Sequence, residues 1–143
     1  MDNYSIDYIM RKWKCYKGTY SRDNLPLKIF KNRPIAFIIN TDPSYKSGEH
    51  WVALFISKTN IAEYMDSFGF DPICCRIKKF CKLNRVKCMQ INKFHIQNIF
   101  SDNCGRYCIL FIQMRCKNIT FNEFLKLFNN NTMFNELIIE YLV

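Results

Sequence analysis

A connection of only three residues, 58–60, joins two apolar segments of the chain, 50–57 and 61–68. Apolar runs of this length, bounded by turn-forming residues, are typical of buried strands. A link this short predicts that the two strands pair as an antiparallel hairpin. A third run, 34–40, begins with a proline and is interpreted as another buried strand, joined to the hairpin by the turn-rich segment 41–49. The middle of the chain therefore predicts a sheet.

The segment that follows the hairpin has the pattern of a helix. Asp71 is a suitable N-cap, and Pro72 stands at the first helical position of the predicted helix 71–84. The apolar residues of this segment recur on one helical face: Ile73, Ile77, Phe80 and Cys81.

The remaining elements place helices at both ends of the chain. Thr120 and Glu123 form a capping box that predicts a helix start, and the segment 17–27 is interpreted as a loop because turn formers cluster in it. Besides 71–84, helices are predicted over 2–14, 102–116, 120–128 and 132–143, and a short strand over 85–92. This order favours an α+β fold, with a small, mostly antiparallel central sheet and flanking helices.

Length and charge limit the classes of function. A chain of 143 residues with 49% apolar residues suits a single domain, 1–143, with a substantial core. Lys and Arg outnumber Asp and Glu by 21 to 12, an excess that favours phosphate backbones or acidic partners. No apolar run approaches the roughly 20 residues needed to span a bilayer, so no membrane association is expected.

The chain contains eight cysteines. Its charged N-terminal segment does not resemble a signal peptide, so a reducing compartment is expected and a disulfide framework is not. The cysteines include no C-x-x-C pair, and we therefore expect no zinc site or other metal centre.

Cys104 stands at the start of a predicted helix that is entered through Asp102 or Asn103. The free N–H groups and partial positive charge of a helix N-terminus stabilise a thiolate, so this cysteine is a candidate nucleophile. Gly105 would let a substrate backbone approach closely. The alternative is that Cys104 is one more buried apolar residue, which is what we expect of Cys108, one helical turn later.

His50 opens the first strand of the predicted hairpin, and Asp66 lies near the end of the second. The outer ends of paired strands lie side by side, so the carboxylate could orient the imidazole as a base for Cys104, although such a pair is often purely structural. Gln97 precedes Cys104 by seven residues and, with the Cys104 backbone N–H, could stabilise an oxyanion. His95 lies two residues before Gln97 and is a competing base, although a single histidine is more often a packed or surface residue.

Four motifs together resemble a known pattern. The blocks GEHWVALFI (48–56), YMDSFGF (64–70) and HIQNIFSDNCGRYCILF (95–111) resemble the His-Trp, acid-x-Phe-Gly-Phe and Gln…Cys-Gly blocks of the adenovirus maturation protease, adenain. YKGTYSRDNLP (16–26) is similar to the Gly-Thr-Tyr segment near the adenain N-terminus. The SUMO/ubiquitin-like deconjugating proteases belong to the same clan.

The resemblance implies a role for each matched residue. Cys104 would be the nucleophile, at the N-terminus of a buried central helix, and His50 the general base and acid. Asp66 would orient His50, and Gln97 would donate to the oxyanion. Trp51 would pack beside the catalytic ring. The sequence departs from adenain in having Asp at position 66, where adenain has Glu.

The same resemblance implies a cysteine endopeptidase that processes virion precursor proteins of a virus or a virus-like transposon. Small or Gly-containing sites would suit a narrow channel lined by Trp51. No cofactor would be needed for the chemistry, and DNA or a peptide could be an activator. Only 39 residues follow Cys104, fewer than in adenain, which argues against a peptide activator. We expect a monomer, not secreted, in the virion and in the nucleus or cytoplasm of the infected cell.

Two alternatives remain open at the level of sequence. A SUMO/ubiquitin-like deconjugating protease would use the same residues on a folded substrate. A non-catalytic, basic nucleic-acid-binding or capsid-associated protein would instead account for the positive charge. For that protein, or for an adenain-like protease with DNA as a partner, the segment 76–87, through Lys78, Lys79 and Lys82, is the candidate contact with a DNA backbone, although much of this charge could be a solvated face.

Overall fold

The computed structural model describes residues 1–72 and 74–143, and these residues form a mixed sheet with helices on both faces. The elements, in chain order, are α1 (Asn3–Met10), β1 (Tyr16–Ser21), β2 (Ile35–Asn40), β3 (Trp51–Ile56), β4 (Ile61–Met65), α2 (Cys75–Leu83), β5 (Cys88–Ile91), α3 (Cys104–Cys116), α4 (Phe121–Leu125) and α5 (Thr132–Leu142). The predicted α+β class is confirmed.

The five strands lie in the order β1-β2-β3-β4-β5. The three central strands are antiparallel, as the three-residue link predicts for β3 and β4, whereas β1 pairs with β2 and β5 with β4 in parallel. The sheet is therefore mixed rather than mostly antiparallel. The parallel edges follow from longer connections, since the chain passes through α2 before it returns as β5.

Helices cover both faces of the sheet, and this explains why β2 and β3 read as continuous apolar runs. Alternate residues such as Ile38 and Phe55 face a core beneath α3, while Phe37 and Leu54 face a second core beneath α2. A strand that is buried on both faces has no solvent-facing side, so polar and apolar residues do not alternate along it.

Helix α3 is the predicted buried central helix. It packs against the sheet on one side and against α1, α4 and α5 around the rest of its surface. Its residues from Tyr107 to Ile112 are all buried. A helix that is apolar around its whole circumference belongs in a core, and here it provides a rigid base for the residue at its first position, Cys104.

Several predicted boundaries are wrong. Residues 16–21 form the edge strand β1 instead of the predicted loop, because they pair with β2. Helix α1 ends at Met10 rather than at residue 14. Helix α2 begins at Cys75 with Cys74 as its N-cap, so Asp71 is not the cap. The Arg76 guanidinium donates to the Leu25 carbonyl and so holds the first turn of α2 against the loop between β1 and β2. The predicted core position Ile73 lies outside the described residues.

The prediction of reduced thiols is wrong for one pair of cysteines. Cys15, between α1 and β1, and Cys116, at the end of α3, form a disulfide, because α1 packs against both β1 and α3 and the two Cα atoms are 6.6 Å apart. Cys104 and Cys108 are free, and Cys108 is fully buried as expected. The capping box of Thr120 and Glu123 is also confirmed.

Among residues 1–72 and 74–143, no helix has the length and apolarity required to cross a membrane. Over the same ranges, no cluster of His, Cys, Asp and Glu is placed to hold a metal ion.

Candidate active site

The hairpin of β3 and β4 brings His50 and Asp66 together. His50 comes directly before β3, and Asp66 directly follows the last residue of β4. The register pairs Ala53 with Met65, so the two outer ends of the hairpin are adjacent. The His50 Nε2 and Asp66 Oδ1 atoms are 2.7 Å apart.

Two neighbours fix this pair. The side chain of Asn92, which follows β5, accepts from the Asp66 N–H at 3.0 Å and donates to the Asp66 carbonyl at 2.6 Å. The Phe68 backbone N–H donates to Asp66 Oδ1 at 2.8 Å, and the Phe68 ring stacks on the imidazole with centroids 4.7 Å apart. Sequence analysis did not single out Asn92, because its role depends on the parallel pairing of β4 with β5.

Cys104 is the first residue of α3, and its side chain is buried against His50. The imidazole and the backbone N–H groups of Trp51 and Gly105 lie close enough to the sulfur to stabilise a thiolate. Cys104, His50 and Asp66 therefore follow one another in a line, with His50 in the middle. This is the arrangement of a nucleophile, a base and a group that orients the base.

The electrostatics of the pair favour charge separation. Burial by itself would lower the pKa of His50, but the hydrogen bond with Asp66 and the nearby Cys104 raise that pKa to about 9. Burial by itself would raise the pKa of Cys104, but His50 and the Trp51 amide lower it below the usual thiol value. Both shifts favour a thiolate beside an imidazolium.

Gln97 lies in the wall of the cleft that contains Cys104. Its side chain is buried, with its carbonyl oxygen accepting from the Ser67 hydroxyl and its Nε2 donating to the Ser101 carbonyl at 2.8 Å. These contacts fix which end of the amide carries the donors. Ser67 and Ser101 were missed by sequence analysis, since an isolated serine carries no distinguishing signal.

The cleft itself has a volume of about 730 Å³ and is bordered by residues before β3 and by the loop that leads into α3. Trp51 lines it, with its indole N–H donating to the Met1 carbonyl at 2.9 Å. A Cβ placed on Gly105 would lie 3.4 Å from the Trp51 ring, an ordinary van der Waals distance, so the packing of the indole on α3 does not itself require a glycine. The approach of a substrate backbone to Gly105 stays a prediction.

The other sequence candidates lie away from this centre. His95 is exposed and is not among the residues lining the cleft, whereas His50 faces the thiol. Lys78, Lys79 and Lys82 are exposed on α2, which packs on the sheet face opposite to α3. Any contact they make with DNA would be separate from the cleft.

Comparisons with known proteins give similarity in sequence and in fold. No family model matches the chain. A SUMO-1 cysteine protease of African swine fever virus is 30% identical over 102 residues, a match that covers 62% of this chain and 36% of that protein. The chain thus spans about a third of the length of the curated relatives it matches.

Solved structures show the same fold. The crystal structure of the African swine fever virus protease superposes with a TM-score of 0.63 at 17% identity, covering 87% of this chain and 60% of that one. A selenomethionine crystal form of that protease gives 0.59 at 19% identity, covering 97% and 66%. The chain is therefore similar to a viral cysteine protease in sequence and shares its fold, while the specific assignment to adenain stays a prediction.

Proposed function

We propose that this chain is a cysteine endopeptidase of the clan that includes the SUMO/ubiquitin-like proteases. The observation that carries the proposal is the line from Asp66, hydrogen-bonded to His50, to Cys104 beside that ring, at the N-terminus of a buried helix. Similarity in sequence and fold to a viral cysteine protease supports it.

In the proposed reaction the Cys104 thiolate attacks the carbonyl carbon of the scissile bond, and the π electrons move to the oxygen. The His50 imidazolium then protonates the departing amine, the C–N bond breaks, and a thioester remains. Neutral His50 next takes a proton from water as that water attacks the thioester. Collapse releases the carboxylic acid product and restores the thiolate and imidazolium, with Asp66 stabilising the charged ring.

The oxyanion of each tetrahedral intermediate needs donors fixed in advance. We assign this role to the Gln97 side-chain amide and to the Cys104 backbone N–H. The contacts of Gln97 with Ser67 and Ser101 support the assignment, because they orient the amide before substrate arrives. The N–H at the start of a helix has no intrahelical acceptor and is available to a ligand.

We propose virion precursor proteins as substrates, cleaved at small or Gly-containing sites beside Trp51. The resemblance to adenain and the similarity to a viral protease support this choice. The same proposal includes a monomeric enzyme that acts in the virion and in the nucleus or cytoplasm of the infected cell. It also includes DNA as an activator. The adenain-like role is preferred because the Phe-Gly-Phe and Gly-Thr-Tyr blocks carry the sequence resemblance.

A second candidate is removal of a SUMO-like protein, favoured by the description of one relative as a SUMO-1 cysteine protease. The test compares hydrolysis of unfolded Gly-Gly peptides with cleavage of a folded SUMO conjugate, for the wild type and for Cys104→Ala. Virion processing predicts efficient peptide cleavage, while deconjugation predicts a strong preference for the folded conjugate. If neither substrate is cleaved in a manner that depends on Cys104, the enzyme proposal is wrong.

A further inference from the structure

Glu136, on α5, is a buried carboxylate with an unusual set of partners. Its exposed fraction is 8%. Within residues 1–72 and 74–143, no Lys, Arg or His lies within ion-pair distance of it. Instead it accepts four hydrogen bonds, from the Asn98 backbone N–H at 2.8 Å, the Ser101 hydroxyl at 2.8 Å, the Asn103 side chain at 2.7 Å and the Tyr107 hydroxyl at 3.1 Å.

These donors share one location in the chain. All of them belong to residues 98–107, the stretch that follows Gln97 and includes Cys104. Burying a carboxylate is costly unless its oxygens are satisfied, and four donors satisfy both oxygens. The carboxylate is thus dedicated to the loop that carries the nucleophile, rather than to the core in general.

One path leads from Glu136 to Gln97. The Ser101 hydroxyl donates to Glu136 Oε2, which leaves its oxygen lone pairs directed at its other neighbours. Those neighbours are the Gln97 Nε2, at 3.4 Å, and the Asn103 backbone N–H, at 3.0 Å. Glu136 therefore sets the rotation of Ser101, and Ser101 in turn helps to hold the Gln97 amide.

A second path leads to the start of α3. Asn103 is the N-cap residue of that helix, but its side chain makes no capping hydrogen bond and binds Glu136 instead. The N-cap side chain therefore accepts no hydrogen bond from the backbone N–H groups in the first turn of α3, beside Cys104. The Tyr107 hydroxyl, one turn further along, fixes the same helix to the same carboxylate.

We propose that Glu136 is a positioning residue that aims the Gln97 amide and the N-terminus of α3 at a common point, where the oxyanion forms; this rests on the proposed function above. Electrostatic stabilisation of an oxyanion depends on donors held in place before reaction. Glu136 supplies that constraint from outside the cleft and touches neither the substrate nor the thiol.

The test separates formation of the thiolate from stabilisation of the oxyanion. Alkylation by iodoacetamide needs the thiolate but develops no oxyanion, whereas peptide hydrolysis needs both. For Glu136→Gln we expect kcat to fall about 10- to 100-fold with KM changed less than about twofold. The alkylation rate of Cys104 should stay within about twofold of the wild type. Glu140→Gln, an exposed position one turn later on α5, is the matched control and should behave as wild type.

A double-mutant cycle provides the sharper readout. Gln97→Ala should lower kcat about 100-fold, and adding Glu136→Gln should then lower kcat by a smaller factor than Glu136→Gln does alone, because only the path through the α3 N-terminus is left to lose. If Glu136→Gln does not fold, Ser101→Ala breaks the path to Gln97 at the loop and should lower kcat with alkylation unchanged. The inference is overturned if alkylation and kcat fall in parallel, if the two losses add, or if Glu136→Gln matches Glu140→Gln.

These outcomes are distinguishable from failure of the proposed function. A wild type that neither hydrolyses peptides nor shows selective alkylation of Cys104 refutes the enzyme proposal, and the role of Glu136 falls with it. A wild type that does both, while Glu136→Gln is unimpaired, refutes only the role of Glu136.

Discussion

At the scale of single residues, the site depends on the reach of Asp66. Adenain, which the sequence resembles, has a glutamate at the matching position, and a glutamate side chain is one methylene longer. The structure makes the shorter side chain sufficient, because Asp66 follows β4 without an intervening residue and Asn92 holds its backbone on both sides. The carboxylate consequently reaches the His50 ring at 2.7 Å.

Replacing Asp66 by Asn should lower both the rate and the upper pH limit of the reaction. The hydrogen bond with Asp66 helps to raise the pKa of His50 to about 9, so loss of the charge should lower that pKa. The ion pair exists between the lowered pKa of Cys104 and the raised pKa of His50, so its pH range should shrink from the alkaline side. We expect kcat/KM to fall about 100-fold or more, with the alkaline limb of its pH profile moved to lower pH.

The control for this change is Asp102→Asn, which removes an exposed carboxylate that also lines the cleft. It should leave the alkaline limb where it is in the wild type. An Asp66→Asn profile that ends at the wild-type pH would show that Asp66 does not set the protonation of His50.

At the scale of elements, one buried ion pair fastens α3 to the sheet. Arg115 Nε donates to Glu63 Oε1 at 2.6 Å, and the guanidinium lies over the Phe55 ring, 4.5 Å from its centroid. Glu63 belongs to β4, the strand that leads into Asp66. The pair therefore links the C-terminal half of α3, the helix that begins at Cys104, to the strand that leads into Asp66.

Arg115→Met should destabilise the fold by about 3 kcal/mol at pH 7, because it leaves the Glu63 carboxylate buried without its partner. Burial raises the pKa of Glu63, and Arg115 acts to lower it, so removal of Arg115 should raise that pKa further. A group with a raised pKa destabilises the fold above that pKa, so the loss should shrink as the pH falls and Glu63 becomes protonated. Urea unfolding at pH 7 and pH 5 measures this.

The double variant Glu63→Gln/Arg115→Met is the matched control, since it removes both charges. It should recover most of the stability lost at pH 7. Equal destabilisation of the single variant at both pH values would show that the penalty arises from lost packing of the arginine and not from a buried charge.

The sequence was most informative where structure is local. Continuous apolar runs predicted β2 and β3, and the three-residue link predicted the hairpin that joins His50 to Asp66. The helix start at Cys104 followed from its position next to capping residue types. Each of these inferences needed only neighbours within one or two elements.

Features that depend on distant segments were not predictable in the same way. The residues of β1 have the local sequence pattern of a loop, and they form a strand because they pair with β2. The partners of Glu136 lie more than 28 residues before it, and Cys15 is 101 residues from Cys116. No periodicity links such positions, so their contacts emerge only from the packing of α5 and α3 against the rest of the chain.

At the scale of the whole molecule, catalysis and any binding of DNA would use opposite sides of the sheet. The cleft lies at the α3 side, and the exposed lysines of α2 lie on the other. The net charge of +9 favours phosphate partners but does not locate them. Substitutions on the α2 surface should therefore leave the cleft unchanged.

Changing Lys78, Lys79 and Lys82 together to Glu should weaken binding to non-specific duplex DNA and reduce the salt dependence of that binding, because fewer counterions would be released. Peptide hydrolysis measured without DNA should be unchanged. Fluorescence anisotropy across a salt series gives the affinity and the slope.

A control variant with the same change in charge replaces three exposed lysines away from α2: Lys12, Lys14 and Lys126. If both triple variants lose affinity equally, net charge rather than the α2 surface determines binding. Unchanged affinity in the α2 variant would remove the DNA proposal for this helix.

The most direct test of the account is the pH dependence of Cys104 alkylation by iodoacetamide, resolved by mass spectrometry for the wild type and for His50→Ala. We predict that Cys104 is labelled selectively at pH 6, although it is buried, while the exposed Cys75 is labelled only as the pH approaches the ordinary thiol pKa. In His50→Ala the labelling of Cys104 at pH 6 should disappear. If Cys104 in the wild type reacts no faster than Cys75 at pH 6, or if loss of His50 changes nothing, the thiolate–imidazolium pair does not exist and the proposed mechanism is wrong.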